Sequence, residues 1–202
     1  TTATSNIGLG ANAVDSITTG DYNVGLGDDV LTATTEGSNN TAVGYNALTA
    51  NTTGESNTAI GVYTLDANTT GSNNVAVGRN TLGANTTGVY NVSLGYGSLA
   101  ANTTGGSNIA MGNSAMEQNT AGVGNLALGT QAGWKIQGDK NVALGYQALR
   151  LNTTPDQNVA VGAYALTVNT TGANNVGVGA NSLAANTTGS ANTAVGKGSL
   201  DA

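Results

Sequence analysis

"NTAVGYNALTANTTGES", residues 40–56, is followed without a break by "NTAIGVYTLDANTTGSN", residues 57–73. Taking Asn40 as position 1, the same Asn recurs at Asn6, Asn23, Asn40, Asn57, Asn74, Asn91, Asn108, Asn125, Asn141, Asn158, Asn175 and Asn192. Every step is 17 residues except Asn125 to Asn141, which is 16. A period held this strictly marks an array of one structural unit, and it outranks any local propensity in deciding the fold.

Within a copy, position 5 is always Gly and position 4 always apolar, from Leu9 and Leu26 to Val178 and Val195. Position 3 is Gly, Ala or Ser, and position 2 is Val, Ile, Leu or Thr. Two larger residues flanking a tiny one have the period of two expected of a strand, so positions 2 and 4 are expected to share a face and supply the core. Position 9 is Leu in nine copies, with Val14, Met116 and Gly133 as the exceptions, and joins that expected core. Positions 12 to 15 usually read NTTG, a cluster of turn-forming residues. Seventeen residues are too few for a helix pair, whose repeats run to about 33 or more.

The expected fold is therefore all-β, a parallel β-solenoid of about twelve 17-residue coils. One coil holds a strand at positions 1 to 4, a Gly turn, a second segment near positions 7 to 11, and the NTTG turn. Stacking places each residue over its equivalent about 4.8 Å away, giving a rod on the order of 55 Å long. The invariant Asn column is expected to form an amide ladder through Asn40, Asn57, Asn74, Asn91, Asn108, Asn125, Asn141, Asn158 and Asn175. Residues 1–202 read as a single solenoid segment whose coils are irregular over about 116–140. Neither end resembles the polar closing repeat of a solenoid, so the stack is expected to continue or to be closed by other parts. The chain starts at Thr1 rather than Met, which suggests a processed chain or a fragment.

Composition narrows the function classes. Charged residues make up 8%, aromatics 4%, and there is no Phe, Cys or His. The net charge is −6, and the five bases (Arg79, Lys135, Lys140, Arg150 and Lys197) are scattered. Nucleic-acid binding calls for clustered bases, so none is expected. No apolar run approaches the length of a membrane span, so no membrane insertion by this segment is expected. Without His or Cys the usual bases, nucleophiles and transition-metal ligands are missing, and we expect neither an enzyme, nor a cofactor, nor a metal. Three apolar side chains per coil make a thin core, so sharing it among several chains is expected to help.

The stretches "NVAVGRNTL", "NVALGYQAL" and "NTAVGYNAL" resemble the head repeats of trimeric autotransporter adhesins. The full form "NTAVGYNALTANTTG" is similar also to tail-fibre-like repeat proteins of phages and environmental bacteria. The resemblance covers residues 6–202. It implies a left-handed parallel β-roll, a homotrimeric fibre, and a role in attachment, as the shaft or head of a tail fibre or surface adhesin. It also implies an extracellular location, on a virion or a bacterial surface, and a cell-surface glycan or protein receptor. The adhesin heads commonly repeat at about fourteen residues rather than seventeen, and the extra residues here fall in the NTTG turn.

Two alternatives stay open. One is an ice-binding β-solenoid, suggested by regular Thr and Asn columns, although the consecutive Thr52 and Thr53 should point to opposite sides. The other is a subunit of an assembled extracellular filament. Candidate contact residues are Tyr45, Tyr96 and Tyr146 at position 6, expected to face outward, and Trp134, Lys135 and Lys140 in the irregular stretch. The NTT triplets beginning at Asn51, Asn68, Asn85, Asn102, Asn152, Asn169 and Asn186 formally match the glycosylation acceptor pattern, and are read as copied turn chemistry.

Overall fold

A computed structural model describes residues 3–201. The chain winds through about eleven turns of a parallel β-solenoid, with twelve three-residue strands, one per coil, from β1 (Ile7–Leu9) to β12 (Thr193–Val195). They form one parallel sheet in sequence order, and each residue pairs with its equivalent in the next copy: Thr41 with Thr58, Ala42 with Ala59, Val43 with Ile60. The one-residue deletion leaves this register intact, since Leu126 pairs with Val142 and Leu128 with Leu144. No helix occurs among the described residues. The second segment, positions 7 to 11, is not a strand. It is a run of turns whose backbone still bonds from rung to rung, as when Leu48 N–H donates to Thr64 C=O (3.1 Å).

The core differs from the sequence expectation. Positions 2 and 4 do not fill it: Val75 and Ile109 are 39% and 38% exposed, and Leu94 is 45% exposed. The small residue at position 3 points inward instead, and Ala42, Ala59, Ala76 and Ala110 are fully buried. Beside them lie position 8 (Ala47, Ala115, Ala148) and position 9 (Leu48, Leu65, Leu82, Leu99, Leu149), all fully buried. The reason is breadth. A coil this narrow has room for one large aliphatic per rung, and Leu at position 9 occupies it, so the strand must turn its tiny residue toward it.

Backbone conformation directs that Leu inward. Position 9 has positive φ in every described copy, including Leu48 (52°), Leu82 (52°) and Leu166 (50°). A left-handed Leu costs about 1–2 kcal/mol, because Cβ crowds the following carbonyl. Burial of the side chain offsets that, at about 1.5–3 kcal/mol for a fully buried Leu. The Gly at position 5 has a different cause. At Gly112 (φ 136°) a Cβ would lie 2.5 Å from the carbonyl oxygen of Gly129 in the next rung, so the rungs could not close to sheet spacing.

Two polar columns run inside the stack. In the first, Asn57 donates its backbone N–H (3.0 Å) and its Nδ2 (3.1 Å) to Oδ1 of Asn40, and Nδ2 also to Gly71 C=O (2.9 Å). The backbone N–H to Oδ1 bond repeats at each step from Asn23 to Asn192, across the short copy too, where Asn141 donates to Asn125 (2.9 Å). The second column is position 12. There Nδ2 of Asn68 donates to Asn51 Oδ1 (2.9 Å) and closes its own turn on Gly71 C=O (2.9 Å), a pattern repeated at Asn85 and Asn102. Buried amides left without partners would each cost about 1–3 kcal/mol, so a ladder is what makes a polar interior tolerable.

Candidate functional site

Position 10 brings unlike residues together in a chemically specific way. Glu117, Trp134 and Arg150 occupy it on three successive rungs. Trp134 Nε1 donates to Glu117 Oε2 (3.3 Å), and the Arg150 guanidinium lies 5.2 Å from the Trp134 ring centroid. One edge and one face of the indole are therefore engaged within the chain, and the cation–π contact contributes about 0.5–1 kcal/mol. The sequence offered a signal for this cluster only as a column, since the three residues are 16 and 17 apart.

The other candidates are dispersed. Lys135, at position 11, and Lys140, at position 17, are both exposed but lie at different places around the coil. Tyr45, Tyr96 and Tyr146 are exposed at position 6, each three rungs from the next, or about 14 Å at sheet spacing. Two of them have an aromatic neighbour one rung on: Tyr45 meets Tyr63 edge-to-face at 5.5 Å, and Tyr146 meets Tyr164 at 5.3 Å. The structure thus gathers Trp134 with Glu117 and Arg150, and does not gather it with Lys140 or the tyrosines.

The irregular copy contains a compensated exchange. Gly133 stands where Leu is usual, and Ile136 stands where the second Asn column is usual. Ile136 is fully buried and fills the vacated space, since a Cβ on Gly133 would lie 2.5 Å from Ile136 Cδ1. The second ladder stops there: Asn119 Nδ2 and Asn102 Oδ1 have no partner, and pairing resumes between Asn152 and Asn169 (2.9 Å).

The acceptor-like triplets are structural. Asn51, Asn68, Asn85, Asn102, Asn152 and Asn169 are fully buried in the second column, where a transferase acting on the folded chain could not reach Nδ2. The Thr pairs separate as period two requires. Thr52 Oγ1 donates to Thr69 C=O (3.0 Å), whereas Thr53 is exposed. One column of free Thr remains, at position 14.

Among the described residues no group of three or more His, Cys, Asp or Glu is placed to hold a metal ion, and no helix is long and apolar enough to cross a membrane. One carboxyl is perturbed: burial raises Asp66 above its ordinary value, and its Oδ1 has no hydrogen-bond partner. A concavity at the end of the stack is lined by Leu183, Asn186, Asn192 and Leu200, the residues that in other rungs are covered by the next coil. Comparison with protein families, with curated proteins and with solved structures finds no match.

Proposed function

We propose that this chain is a segment of a non-enzymatic, extracellular fibre used in attachment, the shaft or head of a tail fibre or surface adhesin. It acts as a homotrimer of left-handed coils, and its mechanism is mechanical. The observation that carries the reading is the unbroken rung-to-rung pairing, with a Asn ladder running through every step from Asn6 to Asn192. Such a stack resists bending and carries identical surface columns along its length. Weak contacts repeated along those columns, or a tip projected by them, give attachment by multivalency. Receptors of the glycan or surface-protein class suit the Asn, Thr and Tyr that these columns present.

Two measurements test this. Sedimentation equilibrium should return three times the chain mass of 19.7 kDa. Labelled protein should bind bacterial cells in a way that added surface polysaccharide competes away. A monomeric mass overturns the trimer, and absence of binding across a broad panel of cells overturns the attachment role.

A further inference from the structure

Tyrosine occupies position 6 at Tyr45, Tyr96 and Tyr146, and position 7 at Tyr63 and Tyr164. Position 7 has a left-handed backbone, with φ of 54° at Tyr63 and 60° at Tyr164. In the other copies it holds only Asn, Asp, Gln, Ser or Gly. A bulky aromatic in that region is an outlier. Both outliers stand one rung after a Tyr at position 6. The backbone N–H of Tyr63 donates to Tyr45 C=O (3.0 Å), and that of Tyr164 donates to Tyr146 C=O (2.9 Å). The rings meet edge-to-face, with centroids 5.5 and 5.3 Å apart and an interplanar angle of 79° in each pair. The same pair is thus built twice, six rungs apart, each time against the backbone preference of one member.

What recurs is the contact between two phenols, not a phenol alone. A ring that only stacked on a ligand would need no second ring at its side. The four side chains are between 38% and 46% exposed, so a reagent can reach each hydroxyl and each ring has room to turn. The backbone bond meanwhile fixes their attachment points. The remaining tyrosines lack such a partner. Tyr96 C=O accepts from Ser114 N–H (2.9 Å) in the same way, but Ser114 brings no ring. Tyr90 is held away from Tyr96 by the strand Val92–Leu94 between them. The chain has no cysteine, so a disulfide cannot tie one rung to the next.

We propose that Tyr45 with Tyr63, and Tyr146 with Tyr164, are oxidative coupling sites. At each, a one-electron oxidant of the haem-peroxidase class, using hydrogen peroxide, closes a dityrosine staple between neighbouring rungs. Each phenol gives up one electron and its hydroxyl proton. The two phenoxyl radicals join through ring carbons ortho to oxygen, and the two ortho hydrogens shift to the oxygens and restore both phenols. One C–C bond replaces two C–H bonds, and hydrogen peroxide takes up the two electrons and two protons and leaves as two waters. The consequence is mechanical. Rungs of a repeat array are otherwise held to their neighbours by pairwise contacts that open one after another. A covalent bond across one coil stops that opening and restricts the unfolded chain. The staple requires neither an attachment role nor a second chain.

The test treats the whole chain with a haem peroxidase and hydrogen peroxide and maps the product by trypsin and mass spectrometry. Tyr146 lies between the cleavage sites after Lys140 and Arg150, and Tyr164 between those after Arg150 and Lys197. The staple should therefore join peptides 141–150 and 151–197, two hydrogens below their summed mass. The oxidised chain should still migrate at 19.7 kDa under denaturing conditions, show dityrosine fluorescence, and melt several degrees higher. Tyr164→Phe keeps a ring but removes the phenol, and should abolish the joined peptide. Tyr63→Phe with Tyr164→Phe should abolish the gain in melting temperature, and Tyr96→Phe should leave both readouts unchanged. Free N-acetyltyrosine, coupled in a parallel reaction, shows that the oxidant is active. Against that control, absence of the joined peptide overturns the proposal. So does a link found only in species heavier than one chain, or one formed equally through Tyr96. A staple that leaves the melting temperature unchanged overturns its mechanical role.

Discussion

The coil at residues 40–56 and the coil at residues 125–140 solve the same packing problem with different parts. The first uses Leu48 as its one large core side chain and Asn51 as its amide rung. The second lacks both, with Gly133 and Ile136 in those columns, and is one residue shorter in the turn. Its strand Leu126–Leu128 and its Asn125 rung are nevertheless unchanged in register. The comparison separates what a rung must have from what it can trade. Sheet register, the first Asn column and the position 5 Gly are kept. The identity of the core residue and the second Asn column are exchangeable, provided that the interior stays filled.

The comparison can be broken most severely at a part that both coils keep. Gly112→Ala forces a Cβ against the Gly129 carbonyl at a φ of 136°, and is expected to cost more than about 4 kcal/mol. Chemical denaturation, or failure of the variant to give a β-type dichroism spectrum, checks it. Next in size is the core itself. Leu99→Ala in a regular coil should cost about 2–5 kcal/mol. In the irregular coil Gly133→Leu overpacks against Ile136, and Ile136→Asn leaves a void beside Gly133, so each alone should destabilise. Together they restore the regular pattern, and a double-mutant cycle by urea denaturation should show a favourable coupling of about 1–3 kcal/mol. Additivity of the two would mean that the exchange is not compensated.

The second ladder gives a smaller contrast. Asn85 donates to Asn68 and accepts from Asn102, whereas Asn119 has an unpartnered Nδ2. Asn85→Ala should therefore cost about 1–3 kcal/mol more than Asn119→Ala, as compared by thermal melts of the two variants. The smallest effect concerns Asp66. Its carboxyl is raised by burial, so the folded state holds the proton more tightly than the unfolded state. The corresponding stability is present in full below the ordinary Asp value of 3.8 and is lost as pH rises through the raised value. Asp66→Asn should raise the melting temperature by about a few degrees at pH 7 and leave it nearly unchanged at pH 3. An equal shift at both pH values would assign the effect to packing rather than charge.

How legible each part was depends on the kind of signal it leaves. Asn40 and Gly44 recur without exception, and a strict repeat fixes stacking without reference to any energy term. Which face of Thr41–Val43 turns inward is a different question, because Val43 and Leu48 look equally suited to a core. The seventeen-residue pattern carries no sign of the left-handed φ at Leu48, which steers that side chain inside and leaves Val43 on the outer face. Along the chain Asn51 reads as turn chemistry, because NTTG is a turn. That it is also a buried ladder rung follows only when coils are superposed. Glu117 and Arg150 are likewise unmarked along the chain and become neighbours of Trp134 only through the same superposition.

By itself the sequence determined the period, the parallel one-strand-per-coil stacking, and the Asn and Gly columns that every rung must carry, because a translational repeat of identical units has few ways to pair with itself. Only the tertiary structure decided which side of the strand is interior. The width of the coil admits one Leu per rung, and once Leu48 and its equivalents take that place, the aliphatics at positions 2 and 4 must face outward. The broad uncharged face on the rod follows from that exclusion.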